Sequence, residues 1–393
     1  MSTRVGKRLV QAVFVLAGVV FVALATFALP VRTWRTGEIA QADFPTSRSP
    51  ADTPDRLWID TDPACGNGRQ SDPDDCLAIL ALARSDVIDI VGVSTVFGNA
   101  AIEVTDRTAR ELAARLSASG HRLPDISRGA ASPLEGESAS AASAALSQAL
   151  RTKRLTILAL GPLTNVATAL RSDPSLVANV DRVIAVMGQH SGHLFHPSEG
   201  RGNGILFGHG PVFRDLNFRK DPSAVRYLLS TGVPITLIPY EAARDVTLTS
   251  RDLDDIAEAG PAGEWVAQGA SQWLDFWEED VGLDGFYPFD LVAARYLLTP
   301  EAYSCGPGMA RVATGWAPDW LWLLDDAGLF VAPLGSAAGR KVLYCPEVTG
   351  KLSVDEMLIG TPYHALKADI GTWAFNVFKA EKATAEIVLS NVG

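Results

Sequence analysis

Basic residues are scarce in this chain: 34 Lys and Arg stand against 45 Asp and Glu, a formal charge of −11 over 393 residues. The pI near 5.1 argues against nucleic acid as a partner, because phosphates require a basic face. An anionic membrane surface suits the main body no better. Cysteine is also scarce, and Cys65, Cys76, Cys305 and Cys345 form no CxxC pair, so a zinc ribbon is unsupported. There is no internal repeat and no second shift in composition. With 47% apolar residues, the chain can bury a substantial core.

The apolar residues begin early. "MSTRVGKRLVQAVFVLAGVVFVALATFALPVRTWRTGE" carries Arg4, Lys7 and Arg8, then roughly 20 residues without charge, enough to cross a hydrocarbon core. Ala23-Leu24-Ala25 resembles a cleavage site of a removable signal peptide, whereas the uninterrupted apolar run to Val31 favours an uncleaved anchor. Lys and Arg are denser before the span than after it, which keeps the N-terminus inside. Either reading exports the body. Export permits disulfides, and Cys305 with Cys345 is the pair expected to bond. Residues 1–35 are thus read as a signal or transmembrane anchor. Residues 36–56, polar and punctuated by proline, are read as a flexible linker, and residues 57–393 as one domain.

Within that domain short apolar runs alternate with helical patterns. "LWIDTD", "VIDIVGVSTVFGN", "LTILAL", "DRVIAVMG" and "VPITLIPYE" read as strands. "DDCLAILALARS", "AIEVTDRTARELAARLSASG", "PLTNVATALRSDPSL" and the stretch near "DPSAVRYLLSTG" read as helices. The alternation predicts an α/β fold with a mostly parallel open sheet and helices on both faces. Ligands of such sheets bind beyond the carboxyl ends of the strands, where Asp60, Asp62, Asn99, Leu160 and Met187 fall.

"LWIDTDPACGNGRQSDPDDCLAIL" crowds Asp60, Asp62, Asp72, Asp74 and Asp75 into one strand-to-helix connection. Capping of the helix accounts for Asp74 and Asp75, but not for two further acids at the strand end. Several oxygen donors without neighbouring cysteine suit a hard cation, calcium or magnesium. Such an ion relieves the repulsion and activates a bound water.

These residues resemble those of the calcium-dependent inosine/uridine-preferring nucleoside hydrolases, or nucleoside N-ribohydrolases. That family's signature is a strand ending DxDPG, a short gap, then DD entering a helix. Here "DTDPACGNGRQSDPDDCLAIL" is similar, with about eight extra residues inserted. "VSTVFGNAAIEVTDRTAR", "SRGAASPL", "LTILALGPLTNVATAL", "VIAVMGQ", "DLNFRKDPSAV" and "FDLVAARYL" follow in the family's order, from about Leu57 to Pro300, and the match is poor from Glu301 onward.

The resemblance implies a Rossmann-like nucleoside-hydrolase fold that hydrolyses the N-glycosidic bond of ribonucleosides. It implies calcium held by the carboxylates of Asp62, Asp75 and Asp290 and the backbone carbonyl of Leu160. Asp62 is then also the general base, with Asp60 behind it. Asp74, Asn99, Met187, Asp215 and Asn217 hold the ribose, and Phe289 faces the base. Family members commonly form dimers or tetramers, so a homo-oligomer is implied. Phe289 stands where many members carry His as a leaving-group acid; an aromatic there is similar to purine-preferring members, which implies purine preference. Asp215 shortens the family's Glu by one methylene.

Other features have competing readings. His190, His193, His196 and His209 share one Gly-rich stretch that is either an exposed loop, a lid supplying an acid or a transition-metal site. Trp273 and Trp277 are expected in the core rather than against the base. The inserted residues are expected to loop outward over the pocket, with Gly66 and Gly68 permitting the reversals and Arg69 presented to the substrate. Two alternatives to the hydrolase remain: a surface-anchored ribose or nucleoside receptor without turnover, and a haloacid-dehalogenase-like phosphatase, since "WIDTDPA" also reads as a strand ending in DxD.

Overall fold

Uninterrupted apolar runs become strands buried on both faces, the pattern of a parallel sheet covered by helices. The computed structural model describes residues 15–20, 47–48 and 56–348, apart from 86–87, 136–138, 191–214, 245, 259, 314–326 and 336–337. Its strands are β1 (Ser47–Arg48), β2 (Leu57–Thr61), β3 (Ile90–Thr95), β4 (Ile126–Ser127), β5 (Leu155–Ala159), β6 (Val180–Ala185), β7 (Gln189–His190), β8 (Ile235–Leu237), β9 (Tyr303–Ala313), β10 (Gly328–Pro333) and β11 (Arg340–Val348). Helices are α1 (Asp74–Ala83), α2 (Ile102–Ala118), α3 (Ala141–Thr152), α4 (Thr164–Ser172), α5 (Leu216–Lys220), α6 (Pro222–Ser230), α7 (Tyr240–Ala243), α8 (Ser250–Ala257), α9 (Pro261–Phe276) and α10 (Phe289–Leu298).

The strands form one sheet in the order β4-β3-β2-β5-β6-β8-β11-β9-β10-β7, with β1 beside β9. Every antiparallel pairing among them involves β9, which alone runs against the rest. The mostly parallel α/β architecture expected from the sequence is therefore present. One apolar core lies under α1, α9 and α10, and another under α3, α4 and α6, on the opposite face. Strands β2 and β3 approach closely because Gly92 has no side chain: a Cβ there would collide with the indole of Trp58.

Chain direction positions the site. From β2 the chain steps outward to β3 and β4, then returns to pair β5 with β2 on its other side and proceeds to β6 and β8. The order reverses between β2 and β5, and ligands collect outside the carboxyl ends of the strands at such a point.

Beyond Glu301, β9, β10 and β11 complete the sheet, and the expected Cys305–Cys345 disulfide joins β9 to β11. The expected linker is not wholly irregular, since Ser47–Arg48 pairs with Ser304 and Cys305 of β9. The expected anchor at 1–35 lies outside the described residues except for helical residues 15–20, whose Val15, Leu16, Val19 and Val20 are exposed. Among the described residues no helix is long and apolar enough to cross a membrane. The transmembrane expectation therefore gains no support. Residues 349–393, and His193, His196 and His209, also lie outside the described residues.

Candidate active site

Strand β2 ends by pointing its acids at the reversal point. Asp60, Asp62, Asp74, Asp75 and Asp290 are all buried. They come from β2, the first turn of α1 and the first turn of α10. Asp74 and Asp75 do not cap α1, whose N-cap is Pro73 and carries no side-chain cap bond. Asp75 turns toward the strand end and Asp74 toward α10. Asp75 Oδ1 accepts the backbone N–H of Asp62 at 3.0 Å and the hydroxyl of Thr61. Asp74 accepts the N–H of Asp75 on one oxygen and that of Asp290 on the other, each at 3.0 Å.

Asp74, Asp75 and Asp290 each bring a carboxylate oxygen within 4.8 Å of the other two. This tightest triad contains Asp74 where the resemblance implied Asp62. The carboxylate of Asp62 lies beside it, with Oδ2 accepting the Asn99 N–H at 2.6 Å. Its Oδ1 is buried with no hydrogen-bond donor among the described residues. Gly98 and Gly161 press against this carboxylate so closely that a Cβ at either position would collide with it. Asp60 is held from behind by Ser94 Oγ at 2.6 Å and Asn165 Nδ2 at 2.8 Å, and Trp58 Nε1 donates in turn to Ser94 Oγ.

The electrostatics follow from burial. Asp62 is raised well above the ordinary carboxylate range, first by burial and then by Asp75; Asp290 is raised likewise, by burial and then by Asp74. Burial, followed by the charge on Asp74, lifts Asp75 to about 7. Burial lifts Asp60 and Asp215 to about 6. Repelling buried carboxylates either hold protons or hold a cation. An all-oxygen donor set with an orphaned inward oxygen fits a hard divalent ion.

A stability prediction follows. Between about pH 4 and 7 the cation-free folded chain retains protons that the unfolded chain, with carboxyls near 3.8, has released. Cation-free stability therefore falls as pH rises through that window. A divalent cation would require the deprotonated site, so, if the site takes one such as calcium, the melting-temperature gap between calcium and chelator should be wider at pH 7.5 than at pH 5. Thermal melts under the four conditions check this, and a constant or narrowing gap contradicts it.

Above the acids lies a cavity of about 260 Å³, lined by Asp74, Asn99, Leu160, Met187, Asp215, Asn217, Phe289 and Asp290 among others. The structure thus brings together the residues the sequence singled out, with Asp62 and Asp75 just beneath. The scaffold orients several of them. Asn99 Nδ2 donates to Asp75 Oδ2 at 3.0 Å. Asn217 Nδ2 donates to the carbonyls of Leu160 at 2.5 Å and Val186 at 3.0 Å, leaving the second lone pair of Leu160 for another partner. Asp215 accepts from Gly188 N at 2.6 Å and Phe218 N at 3.0 Å.

Other residues of the site were missed. Gln70, Asp72, Lys220 and Tyr240 also line the cavity. Asp72 was read among the crowded acids but given no role, and its Oδ1 accepts the Asp74 N–H at 3.2 Å; Tyr240 left no signal. Trp273 and Trp277 are buried, as expected of core, yet both border the cavity. Arg69 does not face the substrate as expected: it pairs with Glu279 and Asp280, each at 2.5 Å. A second disulfide, Cys65–Cys76, was not anticipated and ties the insertion to α1. His190 sits half-buried on β7, its backbone N–H held by Glu241 at 2.7 Å.

Comparison with known proteins agrees with this geometry. Residues 57–318 match the inosine-uridine preferring nucleoside hydrolase family. Probable uridine nucleosidase 1 of Oryza sativa subsp. japonica is 26% identical over 291 residues, covering 66% of this chain and 82% of the relative. The solved plant nucleoside hydrolase PpNRh1 superposes with a TM-score of 0.61 at 20% identity, covering 83% of this chain and 99% of its own. The purine-preferring ribonucleoside hydrolase from Gardnerella vaginalis superposes at 0.59 and 16% identity, with the same coverage. Neither the phosphatase nor the receptor is needed to account for a buried acid cluster on this sheet: the chain belongs to the inosine-uridine preferring nucleoside hydrolase family and is a ribonucleoside N-ribohydrolase.

Proposed function

We propose that the protein hydrolyses ribonucleosides to free base and ribose, with purines preferred, using calcium held by Asp62, Asp75, Asp290 and the Leu160 carbonyl. The observation that carries this reading is Asp62 Oδ1, buried and without a donor among the described residues, at the sheet's reversal point beside three other acids. Calcium, when bound, supplies acidification and orientation of the attacking water. Asp62 then receives the proton as general base. Asp74, Asn99, Asp215 and Asn217 hold the ribose hydroxyls, and Met187 packs against the sugar. Positive charge grows on the ribose as the base departs, as in glycoside hydrolysis, and the surrounding carboxylates stabilise it.

Support for purine preference comes from the aromatic end of the cavity, where Phe289, Tyr240, Trp273 and Trp277 meet. A purine offers the larger stacking face, and an aromatic pair contributes about 0.5–1.5 kcal/mol beyond burial. The relatives' names divide on this point, a uridine nucleosidase on one side and a purine-preferring hydrolase on the other. Ribose release from inosine, guanosine, uridine and cytidine tests both parts. Purines should give the higher kcat/KM, by roughly two- to tenfold, and chelation should stop all turnover. Equal or better efficiency on uridine overturns the preference, and full activity after exhaustive chelation overturns the calcium.

Two disulfides within the body support an oxidising, extracytoplasmic location. We read residues 57 onward as a single catalytic body, exported through the N-terminal segment.

A further inference from the structure

The inserted residues between Asp62 and Asp74 are fastened on three sides. The Cys65–Cys76 disulfide joins them to α1 directly after the acid pair. Asn67 bridges to α2, its amide donating to Thr108 Oγ1 at 3.1 Å and its oxygen accepting from Arg107 at 3.1 Å. The third side is α9. Gly66 lies against Gly269, where a Cβ would sit 3.0 Å from the Gly66 nitrogen. Arg69 reaches Glu279 Oε2 and Asp280 Oδ2 at 2.5 Å each and donates to the Asp275 carbonyl at 3.3 Å.

What Arg69 holds is an unfavourable helix end. Helix α9 runs on into a π-helical turn, Trp277–Val281, that carries Glu278, Glu279 and Asp280 in succession. Three acids at a helix C-terminus oppose its dipole, and Arg69 is the cation that meets two of them, Glu279 and Asp280, among the described residues. The same helix carries Trp273 and Trp277 at the cavity wall. Their rings continue inward: Trp273 to Trp277 at 6.1 Å, Trp277 to Tyr287 at 4.9 Å, and Tyr287 to Phe289 at 6.4 Å. The indole N–H of Trp273 is buried with no acceptor among the described residues.

We propose that Arg69 is a positioning residue for the base: through Glu279 and Asp280 it fixes the Trp273–Trp277 wall of α9 onto the disulfide-anchored insertion, so that the base end of the pocket is formed before substrate arrives. The inference rests on the nucleoside-hydrolase reading above. It makes the insertion a fixed wall rather than a swinging lid, and it assigns Arg69 to the recognition of the base rather than of the ribose or the cation.

The test compares Arg69→Met and Arg69→Lys with the native full-length protein, using inosine as substrate, calcium titration and amide hydrogen exchange across residues 262–281. Arg69→Met should raise KM for inosine about five- to tenfold, the worth of two exposed ion pairs and a helix-end charge. Its kcat should change less than twofold and its calcium affinity not at all. Exchange at the C-terminal end of α9 should quicken, and Arg69→Lys should recover most of both effects. Unchanged KM and unchanged exchange in Arg69→Met overturn the proposal. So does a loss of calcium affinity and kcat in parallel with KM, which marks general structural damage. If the native protein releases no ribose from any nucleoside, the functional reading falls, and the exchange measurement alone decides whether Arg69 fixes the wall.

Discussion

Asp75→Ala should abolish calcium binding and lower kcat/KM by about 10³-fold or more, because the site loses the carboxylate that joins β2 to α1 and with it the oriented water. The same change should leave the chelated protein as stable as before, or more so. Asp75 is buried among other acids, and its charge raises both Asp62 and Asp290. Removing one member of a repelling cluster relieves the rest, although Thr61 and the Asp62 N–H lose their acceptor. The diagnostic is therefore the pair of melting temperatures. Native protein should gain stability with calcium and Asp75→Ala should not. A variant that keeps its calcium shift and its turnover removes Asp75 from the site.

Replacing Cys65 and Cys76 together by serine should cost about 3 kcal/mol of stability, the chain-entropy value for a loop of this length, or roughly 4–5 °C in melting temperature for a body of this size. The Cys305–Cys345 pair closes a longer loop, 40 residues apart in sequence, so its loss should cost at least as much. Calcium separates the two. The first disulfide shortcuts the connection between Asp62 and Asp75, and opening it lengthens that path by nearly two doublings, weakening calcium by about fivefold to tenfold. The Cys305→Ser/Cys345→Ser variant should bind calcium as the native protein does. Isothermal titration of both variants decides. Equal affinity in the two would mean that the strand and helix hold the acids together without the crosslink.

Much of the fold was legible because its strands are buried on both faces: Leu57–Thr61 and Leu155–Ala159 are buried at every position, so their residues are mostly apolar without alternation. The acid cluster was legible for the opposite reason, since Asp60 and Asp62 at the end of such a run have no ordinary structural explanation. What was missed depends on contacts distant in sequence. Arg69 was expected to face substrate, but its partners lie more than 200 residues away and nothing local announces them. Cys65 pairs with Cys76 although spacing alone does not fix connectivity. Trp273 and Trp277 read as core, and they are buried, but periodicity cannot distinguish a core side chain from one that also borders a cavity. The chain from Glu301 was read as a poor match, yet the family match runs on to residue 318 and includes β9; β11 and β10 were hard to place because they pair with β8 and β7 from the middle of the chain.

Helix α10 has a bearing on how the protein is made. It delivers Asp290, whose N–H reaches back across 216 residues to Asp74. A chain still emerging from the ribosome, or cut by a protease before Phe289, carries the acids of β2 and α1 but lacks the member that closes the triad around them. Such a fragment keeps the other acids but lacks both the third carboxylate of the triad and the Asp290 N–H that Asp74 accepts, so turnover should appear only after α10 has docked. Copies truncated before Phe289 should therefore neither gain stability with calcium nor release ribose, which melts and assays of a chain ending at Pro288 check.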